Sequence, residues 1–289
     1  MDREAGLRAN NQQWAVGEGW TVHSATDPTR LSDLLQLLGV ARPGDLMAAM
    51  EIPVPLRRLH EGDVLFHEGA APEAIYIVRS GTFKTFSTAE DGYEQVLGFA
   101  ARSEVLGFDA IAIGQHPTAA IALEECSVYS VLLRDLFTIG QRVPAFDRAL
   151  ALAVSRDLAV RGELANVMAA VAAEVRLARF LMQLSSRMAA CGQSPRRFHL
   201  RMNRREIASH LGVAHETVSR SFRALAACGL VKANNREIEI LDMDGLRHFA
   251  CNTRRPAEEP ESVAPRRAAR VAPFGGRSPA QPAQVAMAA

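Results

Sequence analysis

Residues 203–227, Asn-Arg-Arg-Glu-Ile-Ala-Ser-His-Leu-Gly-Val-Ala-His-Glu-Thr-Val-Ser-Arg-Ser-Phe-Arg-Ala-Leu-Ala-Ala, read as two short helices joined by a glycine turn. Asn203 can cap the first helix, and Glu206, three positions on, can reach back to the cap amide, which is the capping-box spacing. The helix spans about 204–211 and stops at Gly212, a residue free to adopt the left-handed conformation of a tight exit. A second helix is expected from 214 or 215 to 227. Ala208, Leu211, Val213, Val218, Phe222 and Leu225 supply small and apolar positions for packing. On the other face, Glu216, Ser219 and Arg220 stand at i, i+3 and i+4 and project together. A carboxylate can accept from cytosine N4, and an arginine can grip guanine O6 and N7 with two hydrogen bonds. This pattern predicts a helix-turn-helix whose second helix enters the major groove. Arg196, Arg197, Arg201, Arg204, Arg205 and Arg223 crowd the segment with few acids among them, a field suited to phosphates. The plain alternative is a solvated helical hairpin.

With 289 residues, 48% of them apolar, the chain can bury two ordinary cores. Its formal charge of only +1 makes any nucleic-acid affinity local. No run approaches the roughly 18 apolar residues needed to span a bilayer, and the polar start (Asp2, Arg3, Glu4, Arg8, Asn10) does not resemble a secretory signal. A cytoplasmic protein without membrane contact is expected. The four cysteines, Cys126, Cys191, Cys228 and Cys251, have no Cys-x-x-Cys or Cys/His spacing, so reduced thiols are expected rather than zinc or disulfides.

Along the chain, residues 1–27 show no sustained period and read as an irregular arm. A short helix is expected over 31–38, ending at Gly39. From about 52 to 133 the texture is short β-prone runs punctuated by glycine: 56–59, 64–66, 74–78, 82–87, 95–99, 105–108 and a strand or strand pair in 119–133. Ser80-Gly81 and Asp91-Gly92 are hairpin signals. Many short strands at regular spacing predict a sandwich or jelly roll over 28–143. Residues 144–190, rich in Ala, Leu, Val, Met, Arg and Glu, predict one long helix, or a long helix and a following one with the break near 171–173, serving as dimerisation helix and connector. Leu150, Val154, Leu158, Leu164 or Ala165 and Met168 lie near a heptad-like stripe, which a second copy of the chain would cover; the plain alternative is that it packs on the sandwich. An extended lead-in over 196–202 precedes the helix-turn-helix, and 229–232 with 236–240 flank Asn234-Asn235 as a hairpin, so the domain over 191–252 is winged. A last helix is expected over 244–252. Residues 253–289, dominated by Pro, Ala, Arg, Gly and Ser, read as a disordered tail.

The order is β jelly roll, long helix, winged helix-turn-helix, and from about residue 30 to 252 the chain resembles the Crp/Fnr family of bacterial transcription regulators. The likeness is closest to the Fnr branch. Leu65-Phe66 with Gly69, Arg79-Ser80-Gly81-Thr82-Phe83-Lys84, Glu94-Gln95, Gly107-Phe108-Asp109-Ala110-Ile111 and His116-Pro117 are similar to its sandwich, and Glu216-Thr217-Val218-Ser219-Arg220 to its recognition helix. The resemblance implies an α+β fold with an N-terminal double-stranded β-helix of the cyclic-nucleotide-binding type, a dimerisation helix and a C-terminal winged helix-turn-helix. It implies a homodimer on double-stranded DNA, reading an inverted TTGAT-like site through Glu216, Ser219 and Arg220, with His215, Arg204, Arg205 and Arg223 around them, and contact with RNA polymerase. Respiratory or oxygen-related control is what the branch suggests. Ala214 replaces the hydroxyl residue expected at the helix entrance, and His215 leaves the outer base preference open.

The resemblance fails at the effector. In the matching stretch Gly107 stands where cyclic-nucleotide binders carry a glutamate and Pro117 where they carry an arginine, leaving Thr118 without a cationic partner for a phosphodiester. The Fnr 4Fe-4S cluster uses three N-terminal cysteines and one in the sandwich. Here no cysteine precedes Cys126 and Tyr129 matches the sandwich ligand, so neither cAMP nor a cluster is expected. Two modes of regulation stay open: activity set by expression level alone, with the sandwich a vestigial platform, or a switch through a thiol at Cys228, just past the recognition helix, haem at His60, His67 or His116, or another small effector; the ordinary expectation is a small buried cysteine and solvated histidines. No nucleophile, base and orienter occur together, so an enzyme is not expected. A ligand-binding regulatory protein without DNA activity is the different-class alternative, and it leaves Glu216 and Arg220 without a purpose.

Overall fold

The computed structural model describes residues 29–39 and 43–254. The arm expected at 1–27 lies outside them, as does the tail apart from Thr253 and Arg254. The chain opens with α1 (Leu31–Leu38) and α2 (Pro43–Ala49), then β1 (Leu56–Leu59), β2 (Val64–Phe66), β3 (Ala74–Ser80), β4 (Phe83–Thr88), β5 (Glu94–Ala100) and β6 (Val105–Leu106). A single turn, α3 (Ala110–Ile113), leads to β7 (Ala119–Ala122), β8 (Cys126–Leu132) and α4 (Leu133–Arg142). The two sheets run β1-β8-β3-β6 and β2-β7-β4-β5, every pair antiparallel, which is the expected jelly-roll sandwich.

Alternation along β3 explains how one strand serves two cores. Ala74, Tyr76 and Val78 face the space between the sheets with Leu59, Phe83 and Val128. Ile75 and Ile77 face outward, where Leu31, Leu34, Leu35 and Phe146 cover them. Fully buried leucines and phenylalanines of this kind each stabilise the fold by roughly 1.5–3 kcal/mol. The β3–β4 turn needs Gly81: its φ is +87°, and a Cβ there would lie 2.3 Å from Cys126 Sγ and 2.9 Å from the Cys126 Cα.

The long helix is α5 (Pro144–Met168), followed after a four-residue hinge by α6 (Ala173–Ala190). The hinge has named fasteners: the Val171 and Ala172 amides donate to Thr253 O, and Arg176 Nε donates to Ala170 O at 2.8 Å. The sequence bounds put 144–190 together as dimerisation helix and connector, with the DNA-binding domain from 191. Instead Val175, Leu177, Ala178 and Leu181 pack with Ile207, Leu211, Phe222, Leu225 and Leu246, so α6 belongs to the C-terminal lobe. That lobe continues with β9 (Arg197–His199), α7 (Arg204–Leu211), α8 (His215–Ala227), β10 (Val231–Asn234), β11 (Glu237–Ile240) and α9 (Met243–Cys251). The lead-in at 196–202 is a strand rather than a plain extension: β9 pairs with β11 and makes the wing three-stranded, in the order β10-β11-β9.

Helices α2 and α4 were not anticipated. No polar side chain caps α4, whose N-cap residue is Leu132, and Gly140 lies within it, so neither a start nor a continuous period marks it in sequence. Gly140 is there because Asp147 fills its side-chain space, with Oδ1 2.2 Å from where a Cβ would stand.

Candidate nucleic-acid interface

Helix α7 begins with the full capping box: Asn203 Oδ1 accepts from the amides of Arg205 (2.9 Å) and Glu206 (3.0 Å), and Glu206 Oε2 accepts from the Asn203 amide (2.7 Å). It ends at Gly212, in the left-handed region at φ 60°. Helix α8 starts at Ala214 with no side-chain cap. Val218, Ser221, Phe222 and Leu225 face the core, while His215, Glu216, Arg220 and Arg223 are exposed and Ser219 is half-buried. Glu216, Arg220 and Arg223 thus follow i, i+4 and i+7 along the exposed face. Arg220 Nη2 lies 3.2 Å from Thr217 Oγ1, so the guanidinium is steered along the helix by its own neighbour.

The arginine field is narrower than the sequence suggested. Arg197 Nε is 2.9 Å from Glu239, Arg201 Nε is 3.1 Å from Glu124 of the sandwich, and His199 Nδ1 is 2.6 Å from Glu237. The acids that neutralise β9 come from the wing and from the other lobe, so they do not lie between the arginines in sequence. Arg204 turns inward: its guanidinium stacks 3.5 Å over the Phe222 ring and Nη2 donates to the Asn235 carbonyl of the wing turn at 2.7 Å. Burial lowers its pKa, and Nη1 is a buried nitrogen without a partner among the described residues. Arg204 therefore braces α7 against α8 and the wing. Arg205, Arg220 and Arg223 remain exposed cations around the front of α8.

Two further expectations change. Cys228 is exposed at the end of α8 rather than buried, and the buried cysteine is Cys126. His116 is not solvated: it is 2% exposed, its ring stacks on Phe66 at 3.9 Å, and burial lowers its pKa while Asp109 acts in the opposite sense. His60 and His67 are exposed.

At the sandwich positions that matter for an effector, Gly107 faces His116: a Cβ at Gly107 would lie 3.1 Å from His116 Cε1. The cavity beside it, about 110 Å³, is lined by Phe66, Gly107, Thr118, Arg161 and Arg187 among others. Both arginines already have carboxylates, Arg161 with Asp109 (3.2 Å) and Asp157 (2.8 Å) and Arg187 with Glu104 (2.5 Å). Tyr129 is buried in β8 opposite Ile77, and burial raises the pKa of its hydroxyl. Among the described residues no group of three His, Cys, Asp or Glu side chains is placed to hold a metal ion.

Residues 56–142 match the Cyclic nucleotide-binding domain and residues 175–249 the Crp-like helix-turn-helix domain. The chain is 37% identical to the transcriptional activator protein Anr of Pseudomonas protegens over 198 residues, 68% of this chain and 81% of Anr. It is 33% identical to the fumarate and nitrate reduction regulatory protein of Escherichia coli over 199 residues, 69% of this chain and 80% of that protein. In structure it is similar to FixK2 from Bradyrhizobium japonicum (TM-score 0.61, 24% identity, 69% of this chain and 98% of that one). A CRP/FNR-family transcriptional regulator from Thermus thermophilus gives a TM-score of 0.56 at 21% identity, covering 69% of this chain and all of that one.

Proposed function

The chain belongs to the Crp/Fnr family of DNA-binding transcription regulators, and from that premise we propose that it reads an inverted TTGAT-like site as a homodimer through Glu216, Ser219 and Arg220. As a family member it is a regulator and not an enzyme. The observation that carries the reading is the exposed stripe on α8, an acid and two arginines above a helix whose opposite face is core. Arg205 flanks that stripe and, with Arg223 at its far end, suits phosphates, while Arg204 supports the helix pair from within. His215, with Nδ1 4.0 Å from Glu216 Oε1, stands beside the acid at the front of α8, where the outer base preference is open.

Dimerisation through α5 is supported by what the helix leaves uncovered. Ala145, Phe146, Ala149, Ala153 and Val167 are buried in the chain's own cores, and Leu150 and Leu164 of the stripe pack there too, whereas Leu158, 65% exposed, shares one face with the half-buried Val154 and the exposed Ala165. A second α5 would cover them. The relatives named for transcriptional activation and for fumarate and nitrate reduction support a respiratory role. RNA polymerase as partner and the cytoplasm as location belong to the same proposal and rest on family membership; among the described residues no helix is long and apolar enough to cross a membrane.

The effector reading is that this regulator uses neither cAMP nor a 4Fe-4S cluster. A cyclic nucleotide does not fit the residues present: the cavity is far below the roughly 300 Å³ of ordinary ligand pockets, and its arginines are committed to carboxylates. A cubane needs four ligands, and Tyr129 stands in place of the sandwich thiolate with no cysteine before Cys126. Haem gains no support, since His116 is packed against Phe66 and His60 and His67 lie on loops. A thiol mode keeps one supporting fact, the exposure of Cys228.

Arg220→Ala tests the operator reading. In a gel-shift series it should lose preference for the G-containing half-site, about 1–3 kcal/mol of discrimination, while weaker salt-sensitive binding persists. Unchanged base preference would sink the docking scheme. Anaerobic purification should yield protein without stoichiometric iron or sulfide; an absorption spectrum that bleaches in air would overturn the cluster-free reading.

A further inference from the structure

Among the described residues strand β5 is an edge: in its sheet it has β4 on one side and no strand on the other. An exposed edge carries unpaired amides and carbonyls that must find partners. Here one side chain of the DNA-reading lobe supplies both. Ser209, on α7 and 7% exposed, accepts from the Val96 amide through Oγ at 2.9 Å and donates the same hydroxyl to the Glu94 carbonyl at 2.8 Å. Its own carbonyl accepts from Gln95 Nε2 at 2.7 Å. The serine stands where the next strand would, bridging the two outward-facing groups of β5.

Beside it, the buried Lys84 of β4 lies 2.9 Å from Glu94 and 3.4 Å from Glu206 Oε1, while the other oxygen of Glu206 closes the capping box of α7. Val96 and Phe99 of β5 complete the joint within the core of the C-terminal lobe. The far end of α7 is held separately: Met168, the last residue of α5, packs on Gly212, and Arg176 donates to Leu211 O at 3.0 Å. Helix α7 is therefore fixed at its middle to the sandwich and at its end to the dimerisation helix and hinge. The recognition helix is carried by α7 and by the lobe core.

We propose that Ser209 and Glu206 are positioning residues that set which spacing between operator half-sites the protein accepts, by clamping α7 to the edge of β5. The inference rests on the dimeric operator reading above. Two recognition helices must meet grooves one helical turn, about 34–36 Å, apart, and one extra base pair demands roughly 3.4 Å of travel and a tenth of a turn. The other ties between the lobes, Arg201 to Glu124 and Arg187 to Glu104 and the Phe99 carbonyl, run through long side chains; a lobe held by these and by the hinge at 169–172 can follow that change, whereas one clamped at β5 cannot.

The test uses full-length protein with duplexes carrying a single half-site and inverted half-sites at the preferred spacing and at one base pair more or less. Ser209→Ala and Glu206→Gln are compared with wild type; glutamine retains the capping box and removes only the charge facing Lys84. Expected is unchanged single-half-site affinity with the preference for one spacing reduced at least threefold in each variant. Faster elastase cleavage at the hinge sequence Ala169-Ala170-Val171-Ala172, also by threefold or more, is expected without DNA. Gln95→Ala, a change on the sandwich side, should act likewise if Ser209→Ala does not fold. Spacing preference and hinge cleavage both unchanged would overturn the proposal. Absence of half-site preference in wild type would instead overturn the operator reading, and hinge cleavage would still decide the clamp.

Discussion

His210 shows how one residue ties stability to pH. Its ring lies between Phe99 of β5 and Phe180 of α6, with centroids 5.2 and 5.5 Å away, and Nδ1 is buried without a partner among the described residues. Burial, with Arg187 adding to it, pushes the pKa from 6.5 down to about 4. The folded state thus holds the neutral ring while the unfolded chain takes up a proton first. Stability is complete above pH 6.5 and falls as pH drops toward 4. Urea denaturation at pH 5 should show a loss of about 2 kcal/mol relative to pH 7, and His210→Leu should flatten that slope. Glu104, whose pKa burial raises against the pull of Arg187, acts in the opposite direction, so the slope must be read as the difference between variant and wild type. Gly81→Ala is a steric case: a positive φ and a Cβ inside Cys126 should cost about 2–3 kcal/mol in the same measurement.

Among the elements, the two helices of the reader are unequally built. Helix α7 has a complete capping box, whereas α8 begins at an uncapped Ala214 in extended geometry, φ −67° and ψ 149°. Ala214→Ser should add about 0.5–1 kcal/mol of stability in chemical denaturation; no gain would mean that the first amides of α8 are already satisfied by water. Both helices and the glycine between them were legible in the sequence because caps and turns are local chemistry. The strands of the sandwich were legible for a similar reason: a period of two and glycine punctuation are visible over a few residues. Helix α4, without a cap and interrupted by Gly140, was not, since its half-exposed apolar face depends on packing near α5.

For the whole molecule, α5 is the element whose face at Leu158 has no cover among the described residues. Leu158→Glu should convert a dimer to a monomer in sedimentation velocity and weaken binding to the inverted site by on the order of 100-fold, because the second half-site is no longer bound in cis. A dimer that persists would place the contact elsewhere. The assignment of α6 follows the same logic at this scale: its apolar stripe fits either a continued dimer helix or a lobe core, and only the contacts with Ile207, Leu225 and Leu246 distinguish them.

The amino-acid sequence alone determined the order of the two lobes, the capping box at Asn203, the turn at Gly212 and the side chains on the outer face of α8. All of these follow from neighbours within a few positions, where helix and strand periods govern which way a side chain points. Tertiary structure decided which arginines are free, since Arg201 meets Glu124 and Arg204 meets Phe222 only after the lobes and helices have packed. It also decided that Ser209, unremarkable within its helix, closes a strand edge whose amide is 113 positions away. A partner that distant leaves no periodic trace, because the hydrogen bond exists only once both lobes have folded and the edge of β5 is left needing one.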